Sequence, residues 1–338
     1  MNFPEFHKRI IQASGQSLRR IALLNPLTIH RKGTRVKAIF ALALVCFFWG
    51  TTWIAAKEAV RNDRIHPLYM SAIRQLLGGL CFLFFFISKG QRWPKGKEWN
   101  IILVLSFLNF ILSNGLSTWG LKYISSGLGS IMGAIFPLWL VIIGLFTAKN
   151  RMPAKAIIGL VLGFGGVCII FYEHFHSFAD PAFQKGIILS IIATWSWAFG
   201  TLYTKKNAAS FNPYFSLGLQ MVISSMALFL GSIFTGIATP LVSIPWQSWA
   251  SIGYLVIFGS VISFISYLYA LQRLPTEQVS VYAYINPMVA VLLGWMIFSE
   301  ELTVFIAVGG LVALFGVFMV NKAFRSLPPR EQPETEGM

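Results

Sequence analysis

Long apolar stretches separated by short polar connectors set the pattern of this chain. A helix crossing the hydrocarbon core needs about 20 apolar residues. Ten segments meet that requirement: 38–57, 68–88, 99–121, 124–147, 156–172, 186–204, 213–237, 249–271, 278–298 and 304–321. The expected fold is therefore all-α and polytopic, with ten transmembrane helices and short connectors that make neighbours into hairpins. Residues 1–37 break the pattern. Apolar Phe6, Ile10, Ile11, Leu18, Ile21 and Leu24 are spaced through a basic stretch with one acid, Glu5. Such a stretch reads either as an amphipathic helix lying on the bilayer or as a solvated basic tail. Residues 322–338 are rich in Pro and Glu and read as a tail without a packed core.

Composition supports a chain solvated by lipid. Charged residues make up 12% of the total, about half the share usual in soluble domains. Cys46, Cys81 and Cys168 all fall inside apolar stretches with no metal-ligand spacing, so neither a disulfide framework nor a metal is expected. The net charge of +15 raises the question of nucleic acid. The basic residues sit in connectors and form no continuous face, so the bilayer is the expected partner and nucleic acid is not. With the N-terminus placed in the cytoplasm, 21 Lys and Arg fall in cytoplasmic segments and 5 in external ones, leaving Arg74 inside a span. That asymmetry predicts both termini inside a cell membrane.

The chain also repeats itself. Shifted by 150 residues, segment 99–170 lies on 249–320 without a gap, with Pro137 on Pro287 and Gly144, Gly159 and Gly166 on Gly294, Gly309 and Gly316. Apolar composition alone would not place prolines and glycines in one frame. Earlier spans match after small connector shifts: Trp49, Trp53 and Lys57 fall on Trp197, Thr201 and Lys205, and His66-Pro67 and Arg74 on Asn212-Pro213 and Gln220. The division is then a tail 1–37, a first five-helix half 38–172, a connecting loop 173–185, a second half 186–321 and a tail 322–338. Five is odd, so the halves are inverted relative to each other. Inverted repeats are a recurring design of secondary transporters, with the substrate site near the midplane between them.

Local text now points to a family. The chain resembles the drug/metabolite transporter superfamily, in its EamA-like branch, over 38–321. The resemblance rests on "FFWGTTWIAAK" (47–57), on "SAIRQLLGGL" (71–80) with its Arg74, and on the proline-bearing 125–146 and 276–302. The glycine-rich 159–170 and 309–320 close the two halves. The family often carries Glu after the proline span of each half; Glu300 or Glu301 fits in the second half, but Asn150 stands there in the first. The resemblance implies a carrier, and specifically an exporter of small metabolites such as amino acids or amphipathic compounds. A membrane enzyme and a non-transporting scaffold are the competing readings. No His, and no Asp or Glu near a midplane, lies within the spans to serve acid–base chemistry or proton coupling. No cofactor is expected, and the expected partner besides lipid is a small molecule.

Candidate pathway residues follow from the polar stripes. Asn109, Ser113 and Ser117 recur at i, i+4, i+8 on the third span. Ser260, Ser263 and Tyr267 form the matching face of the eighth, and Ser280 and Tyr284 lie one turn apart on the ninth. Trp49 and Trp53 share a side of the first span, as Trp197 and Thr201 do on the sixth, and Gln220 matches Arg74. Faces of this kind line a cavity or pack helices through hydrogen bonds. Arg74 either meets an anionic substrate group or braces the two halves through backbone carbonyls. Pro137 and Pro287 are expected to kink their helices. The GxxxG stripe of Gly159 and Gly163, and its counterpart Gly309, Ala313 and Gly316, are expected to pack helices, within the chain or in a homodimer.

Overall fold

The computed structural model describes residues 35–136, 138–139, 142–143, 154–173, 176–207, 212–271, 273–274, 279 and 282–325. All regular structure among them is helical, with no strand. In chain order the helices are α1 (Arg35–Ala59), α2 (Pro67–Ser88), α3 (Lys97–Gly120), α4 (Ser126–Ala134, with further helical residues to 143), α5 (Ala154–Glu173), α6 (Pro181–Asn207), α7 (Pro213–Phe234), α8 (Trp246–Leu271), α9 (Tyr282–Phe298) and α10 (Val304–Arg325). Six of them, α1, α2, α3, α6, α7 and α8, are long and apolar enough to cross a membrane; Ile157–Ile170, Ile285–Phe298 and Val304–Met319 are shorter apolar stretches. The remainder of the expected fourth span, with Pro137 in it, and residue Ser280 lie outside the described residues.

Helix starts follow from local chemistry. His66 and Asn212 each precede a proline at the first helical position, where the missing N–H costs nothing. His66 Nδ1 accepts from Leu68 N (3.3 Å), and Asn212 Oδ1 accepts from Tyr214 N (3.0 Å) and Phe215 N (3.2 Å). Burial, reinforced by Lys122 and Lys185 and opposed by Asp63, holds the His66 pKa below its usual value, which keeps Nδ1 free to accept. Sequence periodicity gave no sign of one feature. Ser106–Gly115 in α3 and Leu255–Ile262 in α8 are wound as π-helix, and the 150-residue shift lays one on the other.

Packing pairs α1 with α8 and α9, α6 with α3 and α4, α2 with α7 and α8, α3 with α7, α4 with α9 and α5 with α10. Exchanging the labels of the first five helices for the last five leaves these pairings unchanged, while α1 with α4, α2 with α3 and α4 with α10 also touch without a counterpart of equal extent among the described residues. Contacts between connectors sort into two ends. At one end Lys122 Nζ lies 2.7 Å from Asp63 Oδ1, Ser248 Oγ donates to Ala59 O (2.8 Å), and Lys185 sits over the Trp119 ring (4.6 Å). At the other, Asn212 Nδ2 donates to Gln91 Oε1 (2.9 Å) and Trp93 packs edge-on against Phe215 (5.5 Å).

The glycine stripes do their packing within the chain. A Cβ on Gly166 would stand 2.5 Å from Gly309 O, and one on Gly316 2.5 Å from Gly159 O. Without a hydrophobic drive between helices in lipid, this backbone approach is what holds α5 to α10. Gly165, one residue away, has open space. Gly316→Leu should therefore destabilise by about 1–3 kcal/mol through overpacking, read as a lowered melting temperature of the purified protein. Gly165→Ala should leave that temperature unchanged; equal effects at both positions would show that the α5–α10 approach is not limiting.

Candidate functional site

A cavity of about 200 Å³ opens among α1, α2, α3, α4, α6, α8 and α9. That is far above the roughly 10–15 Å³ that admits one water. Its walls come from both halves of the chain. Trp49, Thr52 and Trp53 of α1, Asn109, Ser113, Asn114 and Ser117 of α3 and Ser130 of α4 face Thr194 and Trp197 of α6 and Tyr282, Asn286 and Pro287 of α9.

Arg74 enters this wall from α2 and is 8% exposed. Its Nε donates to Ser260 Oγ (3.2 Å), in the π segment of α8, and its guanidinium packs against Gly259, where a Cβ would come within 3.1 Å of Nη2. No carboxylate forms an ion pair with it among the described residues. Arginine stays charged in proteins, and a bare charge among apolar helices is costly. The cavity supplies the polar volume that offsets this cost.

The aromatic side of the cavity is equally built. Trp49 Nε1 donates to Gly259 O (3.2 Å), and its ring lies 5.4, 5.2 and 5.1 Å from those of Phe264, Tyr267 and Tyr282. Trp53 lies flat against Gly129 and Gly133 of α4; a Cβ on Gly133 would come to 2.8 Å from Trp53 Cζ2. Asn286, with its amide turned to satisfy it, donates to Cys46 O (2.8 Å) and Tyr282 O (3.0 Å), tying α9 to α1 one residue before Pro287. Thr52, Ser130 and Thr194 donate to backbone carbonyls of Trp49, Gly127 and Ser190 at 2.6, 2.6 and 2.7 Å. Their hydroxyl protons are therefore spent on the wall itself. Asn109 Oδ1 is different: it is buried against Gly200 and has no hydrogen-bond partner among the described residues.

Of the residues expected from the sequence, Trp49, Trp53, Arg74, Asn109, Ser113, Ser117, Trp197 and Pro287 line the cavity. Tyr267 stands behind the wall, in ring contact with Trp49 and Tyr282. Thr201 donates to Trp197 O (2.8 Å), and Gln220 donates to Ser216 Oγ (2.9 Å), both along their own helices. Ser263 is fully buried and donates to Phe258 O (2.5 Å), five residues back. The π winding just before it supplies that acceptor and turns the hydroxyl into the helix. The side chain of Tyr284, like Ser280 and Pro137, is outside the described set.

Sequence reasoning missed Thr52, Asn114, Thr194, Tyr282 and Asn286. It also missed Gln75, which is buried beside Arg74 and binds three helices together. Gln75 Nε2 donates to Phe110 O (3.1 Å) and Asn114 Oδ1 (3.4 Å), and Ser224 Oγ donates to its Oε1 (2.5 Å). The adjacency of Asn286 to a mid-span proline was a usable signal. Asn114, next to Ser113, was hidden because α-helical spacing puts neighbours on different faces.

Apolar helices around a polar, aromatic-walled cavity suit a multi-pass membrane transporter. The chain belongs to the EamA-like transporter family, whose profile matches residues 36–172 and 184–322. It is similar to the uncharacterized transporter YvbV of Bacillus subtilis (strain 168), at 25% identity over 85% of this chain and 92% of that one. It is 28% identical to the uncharacterized inner membrane transporter YedA of Escherichia coli (strain K12), over 84% of this chain and 89% of YedA. A WAT1-related chloroplastic protein of Arabidopsis thaliana, At3g02690, is 26% identical over 81% of this chain and 67% of its own length. A solved crystal structure shares the fold with a TM-score of 0.62 at 16% identity, over 87% of this chain and all of that one.

The cavity separates two serines that the sequence treats as equivalent. Ser113→Phe should fill cavity space and reduce transport at least tenfold while the melting temperature holds. Ser263→Phe should instead lower the melting temperature, by overpacking worth about 1–3 kcal/mol. Flux and melting curves on the same purified variants check both; full flux in Ser113→Phe would remove this cavity from the pathway.

Proposed function

We propose that the chain is a secondary transporter that exports a small amphipathic metabolite across the cell membrane by alternating access between two inverted halves, 38–172 and 186–321. The observation that carries this reading is the cavity walled by both halves, with Arg74 in it. Helix pairings that survive exchange of the halves support a ten-span, two-repeat arrangement. So does the sorting of connector contacts into two ends, because each contact joins connectors that ten spans would leave on one side. The Lys and Arg asymmetry supports cytoplasmic placement of both termini. Aromatic walls suit an apolar body, and the planar donor fork of Arg74 suits a carboxylate.

Reconstitution in sealed liposomes with labelled amino acids and aromatic carboxylates tests the activity. Saturable flux of at least one is expected, and folded protein without flux of any would favour a scaffold. Orientation is tested separately. Cysteines introduced singly at 178 and 243 should react with an impermeant thiol reagent from outside, and those at 96 and 208 should not; the reverse pattern overturns the topology.

Arg74 gives a sharper test. Arg74→Lys keeps the charge but loses the fork, and Arg74→Gln copies the residue at the matched position, Gln220. Both should weaken apparent affinity for a transported carboxylate about tenfold or more, in line with the 1.5–3 kcal/mol of a charge-assisted hydrogen bond, with melting temperature little changed. Lost stability at unchanged affinity would make Arg74 a brace between α2 and α8.

A further inference from the structure

Lys57 and Glu300 converge on the turn between α3 and α4. Lys57, in the last turn of α1, donates from Nζ to Leu121 O (2.6 Å) and Ile124 O (2.7 Å), carbonyls on either side of that turn. Glu300, in the short segment between α9 and α10, reaches the start of α4 from the opposite side. Its Oε1 accepts from Ser126 N (2.8 Å), and its Oε2 from Gly127 N (3.2 Å) and Ser126 Oγ (2.8 Å). The first N–H groups of a helix have no partner within it and carry the positive end of its dipole. A carboxylate answers both needs. The ammonium and the carboxylate also attract one another across the turn.

The chain around Glu300 is built for this reach. Ser299 takes a left-handed φ of 54°, unusual for a residue with a side chain, and turns the backbone back so that Glu300 N donates to Gly294 O (3.2 Å). At Gly294 a Cβ would stand 2.8 Å from Ser126 Oγ and would strike the Glu300 carboxylate. What the carboxylate fixes is a cavity wall, since α4 continues into Gly129, Ser130 and Gly133. In the 150-residue frame, the position matching Glu300 is Asn150, while Lys57 has its counterpart in Lys205 once the connector shift is allowed for. The acid therefore belongs to one end of the molecule only.

We propose that Lys57 and Glu300 form a latch that pins the α3–α4 turn and holds the end of the cavity nearest Ser117 shut, with Glu300 as the positioning residue of α4. Opening that end requires the turn to leave α1 and α9, which breaks both sets of hydrogen bonds. The repeat sets an uncharged Asn150 against Glu300, so the two halves do not carry the same latch. The latch rests on the alternating-access reading above, but its test needs no substrate, so lack of transport and lack of a latch are scored separately.

The test uses the full chain with Cys46, Cys81 and Cys168 replaced by alanine and a single cysteine at Ser117, labelled by an impermeant maleimide in sealed vesicles of both orientations. Glu300→Gln and Lys57→Met should each speed labelling from the Lys122 side at least tenfold, and the double variant should add less than twofold to either. Rates within twofold of the parent in either variant overturn the latch. Should a variant fail to fold, Ser126→Ala removes one donor and leaves both charges in place. It should speed labelling at least threefold, and an unchanged rate there overturns the proposal equally.

Discussion

A guanidinium buried among apolar helices constrains everything around it. Arg74 cannot shed its proton as a lysine would, and lipid offers it nothing. The protein answers with Ser260 on one side of the charge and a polar cavity on the other. Gly259 is small enough to let α8 approach, and the π winding of Leu255–Ile262 presents Gly259 and Ser260 together. Trp49 then uses the carbonyl of the same Gly259, which ties the aromatic wall to the charged one. Neighbouring Gln75 holds α2 to α3 and α7 behind this arrangement.

The same economy governs the hydroxyls. Ser and Thr inside apolar helices bond back to carbonyls of their own helix, as Thr52, Ser130, Thr194, Thr201 and Ser263 do. Such groups make a wall polar without leaving a free donor to bind anything. Groups that retain bonding capacity toward the cavity are fewer, and the rest of the Arg74 fork is the clearest of them. Polar bonding capacity therefore falls on a few atoms, while the bulk of the cavity supplies shape and aromatic surface.

Where both ends of a helix are described, periodicity in the sequence anticipated it within a few residues, and the glycine frame fits the contact of α5 with α10. Both depend on local composition, which sequence carries directly. The cavity lining was legible in part. Trp49, Trp53 and Arg74 were found by type and placement, and Asn109, Ser113 and Ser117 by their stripe. Ser263 was misplaced because a π segment changes the angle between successive residues, and no residue in 255–262 announces that winding. Thr194 was invisible for another reason: it faces the cavity because helices from distant parts of the chain meet there.

Positions where the two halves agree and where they differ sort by what they do. Pro287, Gly309 and Gly316 repeat a counterpart in the other half, and the residues of this kind that are described shape or pack helices. Arg74 against Gln220 and Glu300 against Asn150 are two departures, and each sets a charged residue against an uncharged amide. A carrier made of two identical inverted halves would have equal energies facing either side. A few unmatched charges remove that equality at small cost to the shared packing. Arg74 breaks it in the cavity wall, where a ligand would meet it. Glu300 breaks it at one end, where its carboxylate answers the unpaired N–H groups that start α4.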